Sequence, residues 1–131
     1  MTPYLIVNGV ADLIEFAKLV FGAKETRRSL GSSGQIQHAR IRIGDSHIMM
    51  GEPGSGSRSK PAVLYVYVED VDRTFERALE AGATALREPA DQFYGDRNAG
   101  VRDPCGNEWW IARHVEDIDP DELSRRTVKF R

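Results

Sequence analysis

The sequence predicts an α+β domain built from two tandem βαβββ modules and closed by a short C-terminal helix. Three observations predict it. The strand-like run Tyr4-Leu5-Ile6-Val7 returns as Tyr65-Val66-Tyr67-Val68, about sixty residues on. Each run is followed by an amphipathic stretch that ends in Gly-Ala, at Gly22-Ala23 and Gly82-Ala83. The 131 residues suit one domain, with each half the size of one module. The expected division is module 1 over about 2–50, a linker over 51–60, module 2 over about 61–114 and a tail over 115–131.

The elements follow in order. In the first amphipathic stretch, Leu13, Phe16, Ala17 and Val20 fall on one helical stripe. In the second, Val71, Phe75, Ala78 and Leu79 do the same, with Asp70 placed to cap the first turn. Gly22 and Gly82 stand where a helix ends in a left-handed residue. Ile36 to Ile43 alternates: Ala39, Ile41 and Ile43 share one face, and His38, Arg40 and Arg42 share the other. Gly44-Asp45 turns the chain into His47-Ile48-Met49-Met50. Gly51 to Lys60 carries three glycines and three serines and reads as a flexible linker. In the second half a strand over Gly100 to Asp103 leads through Pro104-Cys105-Gly106-Asn107 into a strand over Glu108 to Ala112. Asp119-Pro120-Asp121-Glu122 combines an N-cap, a first-turn proline and acids, which starts the terminal helix.

Composition excludes several classes. Hydrophobic residues make up 40% and charged residues 29%, so a packed core is expected rather than disorder. Net charge is −2, without the basic excess of a nucleic-acid binder. No apolar run approaches a membrane span, and Met1-Thr2-Pro3-Tyr4 does not open a signal sequence. Cys105 is the single cysteine, so no internal disulfide or multi-cysteine zinc site forms; in a turn with no adjacent base it reads as an inert thiol. A cytoplasmic protein is the expectation, with neither nucleic acid nor membrane as partner. Walker-type, dinucleotide-type and Gly-x-Ser-x-Gly motifs are missing.

The two halves, together with Thr2-Pro3-Tyr4-Leu5, Val20-Phe21-Gly22-Ala23 and Asp103-Pro104-Cys105-Gly106-Asn107, resemble the vicinal oxygen chelate superfamily of glyoxalase I, bleomycin-resistance proteins and extradiol dioxygenases. Tyr65 to Asp72, Gly95-Asp96-Arg97 and Trp110 to Asp117 are similar to its PhnB-like glyoxalase-type branch. Cys105 stands where that branch usually has an aromatic residue. The resemblance implies that each module curls into a half-open cup with its helix on the outer face, and that chains pair as homodimers. It also implies a divalent metal held by His, Gln or Glu at positions occupied here by Thr2, Met49 (or Ile48), Val63 and Trp110. Hard or borderline divalent ions take imidazole and carboxylate, so no catalytic metal is expected in that place.

Alternation assigns Leu5, Val7, Leu64, Val66, Val68, Trp109 and Ile111 to the helix side. Tyr4, Ile6, His38, Arg40, Met49, Tyr65, Tyr67, Arg102, Glu108 and Trp110 face the cup. The cup set is aromatic with a few polar groups, as small-molecule sites are. Arg40 and Arg102 occupy matching places, and either clamp an anion or serve as solvated strand residues, with Glu108 as a competing partner. Phe93 and Tyr94 form a lid or a packing plug; His47 is expected to be exposed and His114 to begin the tail. The leading expectation is a metal-independent, cofactor-free small-molecule binding protein, homodimeric, for an aromatic or anionic ligand. The alternative is a lyase or dioxygenase with a displaced metal on His38, His47 or Glu108. A purely structural module is the third.

Overall fold

The computed structural model describes residues 1–129. The first module runs β1 (Tyr4–Ile6), α1 (Val10–Phe21), β2 (Lys24–Leu30), β3 (Ile36–Ile43) and β4 (Ser46–Gly51). The second runs β5 (Val63–Tyr67), α2 (Val71–Glu80), β6 (Thr84–Asp91), β7 (Asp96–Arg102) and β8 (Glu108–His114), followed by α3 (Pro120–Lys129). The two sheets repeat one topology, β1-β4-β3-β2 and β5-β8-β7-β6. In each, the first strand pairs parallel to the last and the other pairings are antiparallel. β1 and β5 are therefore edge strands.

A single hydrophobic core joins the halves. The first sheet contributes Leu5, Ala39, Ile41 and Met50; the second contributes Val101, Trp109 and Ile111. Leu13, Phe16, Ala17 and Val20 of α1 are buried, as the stripe requires. Phe16 and Phe21 reach across to the Trp109 ring, at 6.3 and 4.8 Å between centroids. Each large apolar side chain buried here contributes roughly 1.5–3 kcal/mol. On α2, Val71, Phe75 and Ala78 are buried but Leu79 is 38% exposed. Eight positions after Val71 the helix has turned Leu79 to the margin of the stripe. Thr74 is buried instead, and its hydroxyl donates to the Asp70 carbonyl.

Local chemistry fixes the connections. Asp70 caps α2 by accepting from the Arg73 amide, and Asp119 caps α3 by accepting from the Glu122 amide. Gly9, at φ 91, offers α1 no side-chain cap of its own, and the Glu52 carboxylate accepts from the Gly9 and Val10 amides. The stretch from Gly51 to Lys60 is thus tied at both ends, because Gly51 closes β4 and the Lys60 amide donates to the Ile6 carbonyl. Asp103, 3% exposed, gathers the Cys105 and Asn107 amides, Asn107 Nδ2 and Trp109 Nε1 at 2.8–3.0 Å. Asn107 Oδ1 then accepts from the Ala62 amide. The Asp-Pro-Cys-Gly-Asn turn therefore locks the large core indole and the entry to β5.

Candidate functional site

Strand alternation puts each sheet's polar and aromatic side chains on the face opposite the core. On the first sheet that open face carries Tyr4, Ile6, His38, Arg40 and Met49. Tyr4 pairs in register with Met49, and Met49 with Arg40. Tyr4 stacks on His38 with centroids 5.7 Å apart, and Tyr4 Oη lies 3.3 Å from His38 Nδ1. Ile48, by contrast, is in the core at 6% exposure. On the second sheet the open face carries Tyr65, Tyr67, Arg102, Glu108 and Trp110. Among the described residues, no hydrogen bond, ion pair or ring contact connects the two groups. Arg102 lies 4.0 Å from Glu108 on its own sheet, so it does not meet Arg40.

The second face is the more organised. Trp110 pairs with Gly100 across the ladder, and its ring lies flat over that glycine's backbone. The Arg87 guanidinium sits over the ring, 4.7 Å from its centroid, a cation–π contact. Arg87 also donates to Asn98 Oδ1 at 2.9 Å. Asn98 is fully buried and donates through Nδ2 to the Tyr94 and Tyr65 hydroxyls at 2.7 and 3.2 Å. Asp96, 6% exposed, accepts from Tyr65 at 2.6 Å and from Tyr67 at 3.3 Å, both through Oδ2. Its Oδ1 lies 3.2 Å from His114 Nδ1, and His114 Nε2 lies 2.6 Å from Asp117.

The electrostatics hold the two tyrosines in one protonation state. Partial burial, then the hydrogen bond to Asp96, drives the Tyr65 phenol well above its ordinary value. Tyr67 shifts the same way, from burial first and the Asp96 charge second. Both tyrosines stay neutral hydroxyls at physiological pH. His114 is raised, by its bond to Asp117 first and to Asp96 second. No buried side-chain polar atom among the described residues lacks a partner.

Sequence reading did not place four members of this network. β7 begins at Asp96, four residues before the expected start, which brings Asp96 and Asn98 onto the face. His114 is the last residue of β8, opposite Asp96, rather than the start of the tail. Arg87 lies on β6, whose residues the sequence did not single out. The resemblance of Gly95-Asp96-Arg97 to a known branch was the one available signal, and it reaches Asp96 only. Tyr94 is tied to Asn98 at the rim, and His47 is exposed as expected.

A groove of about 1300 Å³ runs along β5, bounded by Met1–Pro3, the turn after β3 and the start of α2. Tyr65 and Tyr67 touch it, but Trp110, Arg87, Asp96 and Asn98 do not. The chemistry thus lies on the sheet face and not in this groove.

The metal positions implied by resemblance hold a poor donor set. Thr2 offers only a weak hydroxyl, Met49 a thioether, Val63 nothing, and Trp110 an indole that can only donate. These residues do not fit a divalent ion that wants imidazole and carboxylate. Among the described residues, no three His, Cys, Asp or Glu side chains cluster as ligands. Burial and the neighbouring Asp103 charge push the Cys105 thiol up to about 11, so little thiolate forms near neutrality.

Comparison with known proteins agrees with this architecture. Residues 2–111 match the family model of the Glyoxalase/Bleomycin resistance protein/Dioxygenase superfamily. An uncharacterized protein of Mycobacterium bovis is 34% identical over 94% of this chain and 88% of its own length. The structure of TioX from Micromonospora sp. ML1 superposes with a TM-score of 0.73 at 28% identity, covering 88% of this chain and 98% of that one. A glyoxalase/bleomycin resistance protein/dioxygenase family enzyme from Burkholderia phytofirmans PsJN shares the fold, with a TM-score of 0.72 at 20% identity over 87% of this chain and 97% of its own.

Proposed function

The chain belongs to the glyoxalase/bleomycin resistance protein/dioxygenase superfamily, and from that premise we propose that it is a metal-independent small-molecule binding protein for an aromatic or anionic ligand. The observation that carries this reading is the state of Asp96. Its carboxylate is the one buried acid on the second open face, and Tyr65, Tyr67 and His114 already occupy it. General-base catalysis needs a carboxylate free to take a proton from substrate. A tied carboxylate and neutral phenols make instead a fixed platform: flat rings, hydroxyls in set directions, and one guanidinium plane over Trp110. Such pre-organisation favours binding, because little rotamer freedom is lost when a ligand arrives.

The ligand platform comprises Tyr65, Tyr67, Arg87 and Trp110, with Arg102 and Glu108 at its margin. Tyr4, His38, Arg40 and Met49 form the open face of the first sheet, which a second copy would bring opposite the platform. Tyr4, Tyr65 and Tyr67 are 50, 45 and 63% exposed, a large aromatic surface for an isolated chain. The edge of β5, unpaired among the described residues, adds open backbone groups. We therefore assign a homodimer in which a second copy covers these faces. Within the superfamily, Gly95-Asp96-Arg97 and the strand Tyr65–Val68 support the PhnB-like branch.

The test is titration with planar aromatic compounds of one to three rings, read by tryptophan fluorescence and thermal shift. Trp109 is fully buried, so a saturable change reports Trp110. Arg87→Ala and Tyr65→Ala should weaken the response. A flat response to every compound would remove the proposal. Sedimentation at twice the 14.7 kDa chain mass is expected; a monomer at tens of micromolar would remove the dimer.

A further inference from the structure

The first sheet's open face carries a feature that the aromatic platform does not use. Across β2 and β3, Lys24 stands opposite Arg42 and Arg27 opposite Arg40. Like charges directly opposite on one face repel, and here two such pairs flank a bulge at Thr26. None of these four cations makes an ion pair among the described residues. The single acid of β2, Glu25, lies opposite core residue Ile41 and is taken by Arg28 and Lys18 on the helix side. β1, β3 and β4 contain no acid at all.

Arg40 is also held in place. The Thr26 hydroxyl donates to the Arg40 carbonyl and accepts from Arg40 Nε, both at 3.2 Å. Thr26 is the extra residue of the bulge, so the irregularity itself brings its hydroxyl to the guanidinium. This clamp uses Nε and leaves both terminal nitrogens of Arg40 without a partner among the described residues. A planar pair of free N–H groups on a half-buried, fixed guanidinium matches the two oxygens of an oxyanion.

We propose that Arg27 and Arg40, flanked by Lys24 and Arg42 and set by Thr26, form an oxyanion-binding surface that takes the phosphate or carboxylate group of the ligand. The inference deepens the small-molecule reading and rests on it. The aromatic part of the ligand belongs to the second sheet and its charged group to the first. Bound anion offsets the repulsion between the paired cations, so binding raises stability as well as affinity.

Inorganic pyrophosphate and benzoate serve as probes, each compared with potassium chloride at matched ionic strength. Binding is followed by thermal shift and by calorimetric titration on the full chain. Saturable binding of one or both is expected, and which one binds tells phosphate from carboxylate. Arg27→Gln with Arg40→Gln should weaken it at least about tenfold, the loss of one charge-assisted hydrogen bond or more. Thr26→Val should weaken it less, by freeing the Arg40 head. The double variant removes repulsion, so at low salt its melting temperature should match or exceed that of the natural chain, which separates lost binding from lost fold. Binding no greater than chloride produces, or undiminished in the double variant, overturns the inference. A neutral probe, 2-naphthol, read at Trp110 distinguishes the two failures: if it binds while neither anion does, the oxyanion surface alone is wrong.

Discussion

Gly100→Ala probes the arrangement on which the aromatic platform depends. A Cβ at this position would meet the Trp110 ring closest at Cζ3, and at 2.6 and 2.8 Å from Cη2 and Cε3. Real carbon contacts do not come so close, and the obstacle is the rigid ring rather than the end of a flexible chain. The indole must lift off the sheet, and Arg87, stacked 4.7 Å from its centroid, must move with it. Overpacking of this kind costs about 1–3 kcal/mol. Against it stands the entropy gain of replacing a strand glycine, roughly 0.5–1 kcal/mol. At mid-range overpacking wins, leaving a net destabilisation of about 1 kcal/mol, or about 4 °C in melting temperature for a domain this size. Two measurements check it together: thermal unfolding by circular dichroism, and the emission maximum of Trp110 in a Trp109→Phe background. A red shift is expected as the ring leaves the sheet. If Gly100→Ala is as stable as the natural chain, or more so, with unchanged emission, the ring does not lie on that glycine and the platform is misdrawn.

Other perturbations follow from named contacts. Asp103→Ala strands the buried Trp109 Nε1 and both Asn107 donors, so a loss of about 3–5 kcal/mol is expected in urea unfolding; a loss under 1 kcal/mol would contradict the hub. For His114, a raised folded value means its contribution is complete below the ordinary histidine range and fades as pH climbs through the folded value. The melting-temperature gap between the natural chain and His114→Gln should thus be wider at pH 5.5 than at pH 8.5, and the reverse order would show the wrong partner state. Cys105, raised to about 11, should alkylate with iodoacetamide at pH 8 far more slowly than a free thiol; equal rates would mean the thiol is open. Asp70→Ala should cost about 1 kcal/mol through loss of the α2 cap, and an unchanged chemical-denaturation midpoint would show the cap is dispensable.

What the sequence made legible was whatever repeats with a period. Trp109 and Trp110 are neighbours of the same type, yet alternation alone sends one to the core and the other to the open face, and the structure agrees. The same logic separated Ile48 from Met49. Capping chemistry was equally plain at Asp70 and Asp119. Legibility ended where a strand is held by its neighbours rather than by its own side chains. β2, Lys-Glu-Thr-Arg-Arg-Ser-Leu, has one β-branched residue and no aromatic, and the start of β7, Asp-Arg-Asn-Ala-Gly, has neither of the residue types that mark strands. Their ladders with β3 and β8 make them strands. Arg27, Asp96 and Asn98 lie on those segments, so the residues that organise both faces were the ones periodicity could not place. Arg102 shows the converse: its matching position to Arg40 was readable, but its 4.0 Å approach to Glu108 depends on register.

The two modules share a topology and diverge in what they do with its open face. On the open face of the second sheet, a network running from Arg87 through Asn98, Tyr65 and Asp96 to His114 satisfies its own polar groups. That network needs no outside partner, and it presents flat surface. On the first sheet Lys24, Arg27, Arg40 and Arg42 make no ion pair among the described residues, and Thr26 holds Arg40 through Nε, with its terminal nitrogens unpartnered among those residues. A satisfied face gains little by recruiting charge, whereas an unsatisfied face gains by recruiting the opposite charge. Under the proposed reading the division of labour follows from the hydrogen bonding of each sheet: shape would be recognised where the donors are occupied, and charge where they are not. A ligand meeting both demands has a planar ring at one end and an oxyanion at the other. An uncharged ring compound that bound as tightly as its carboxylate or phosphate counterpart would break this link between the two faces.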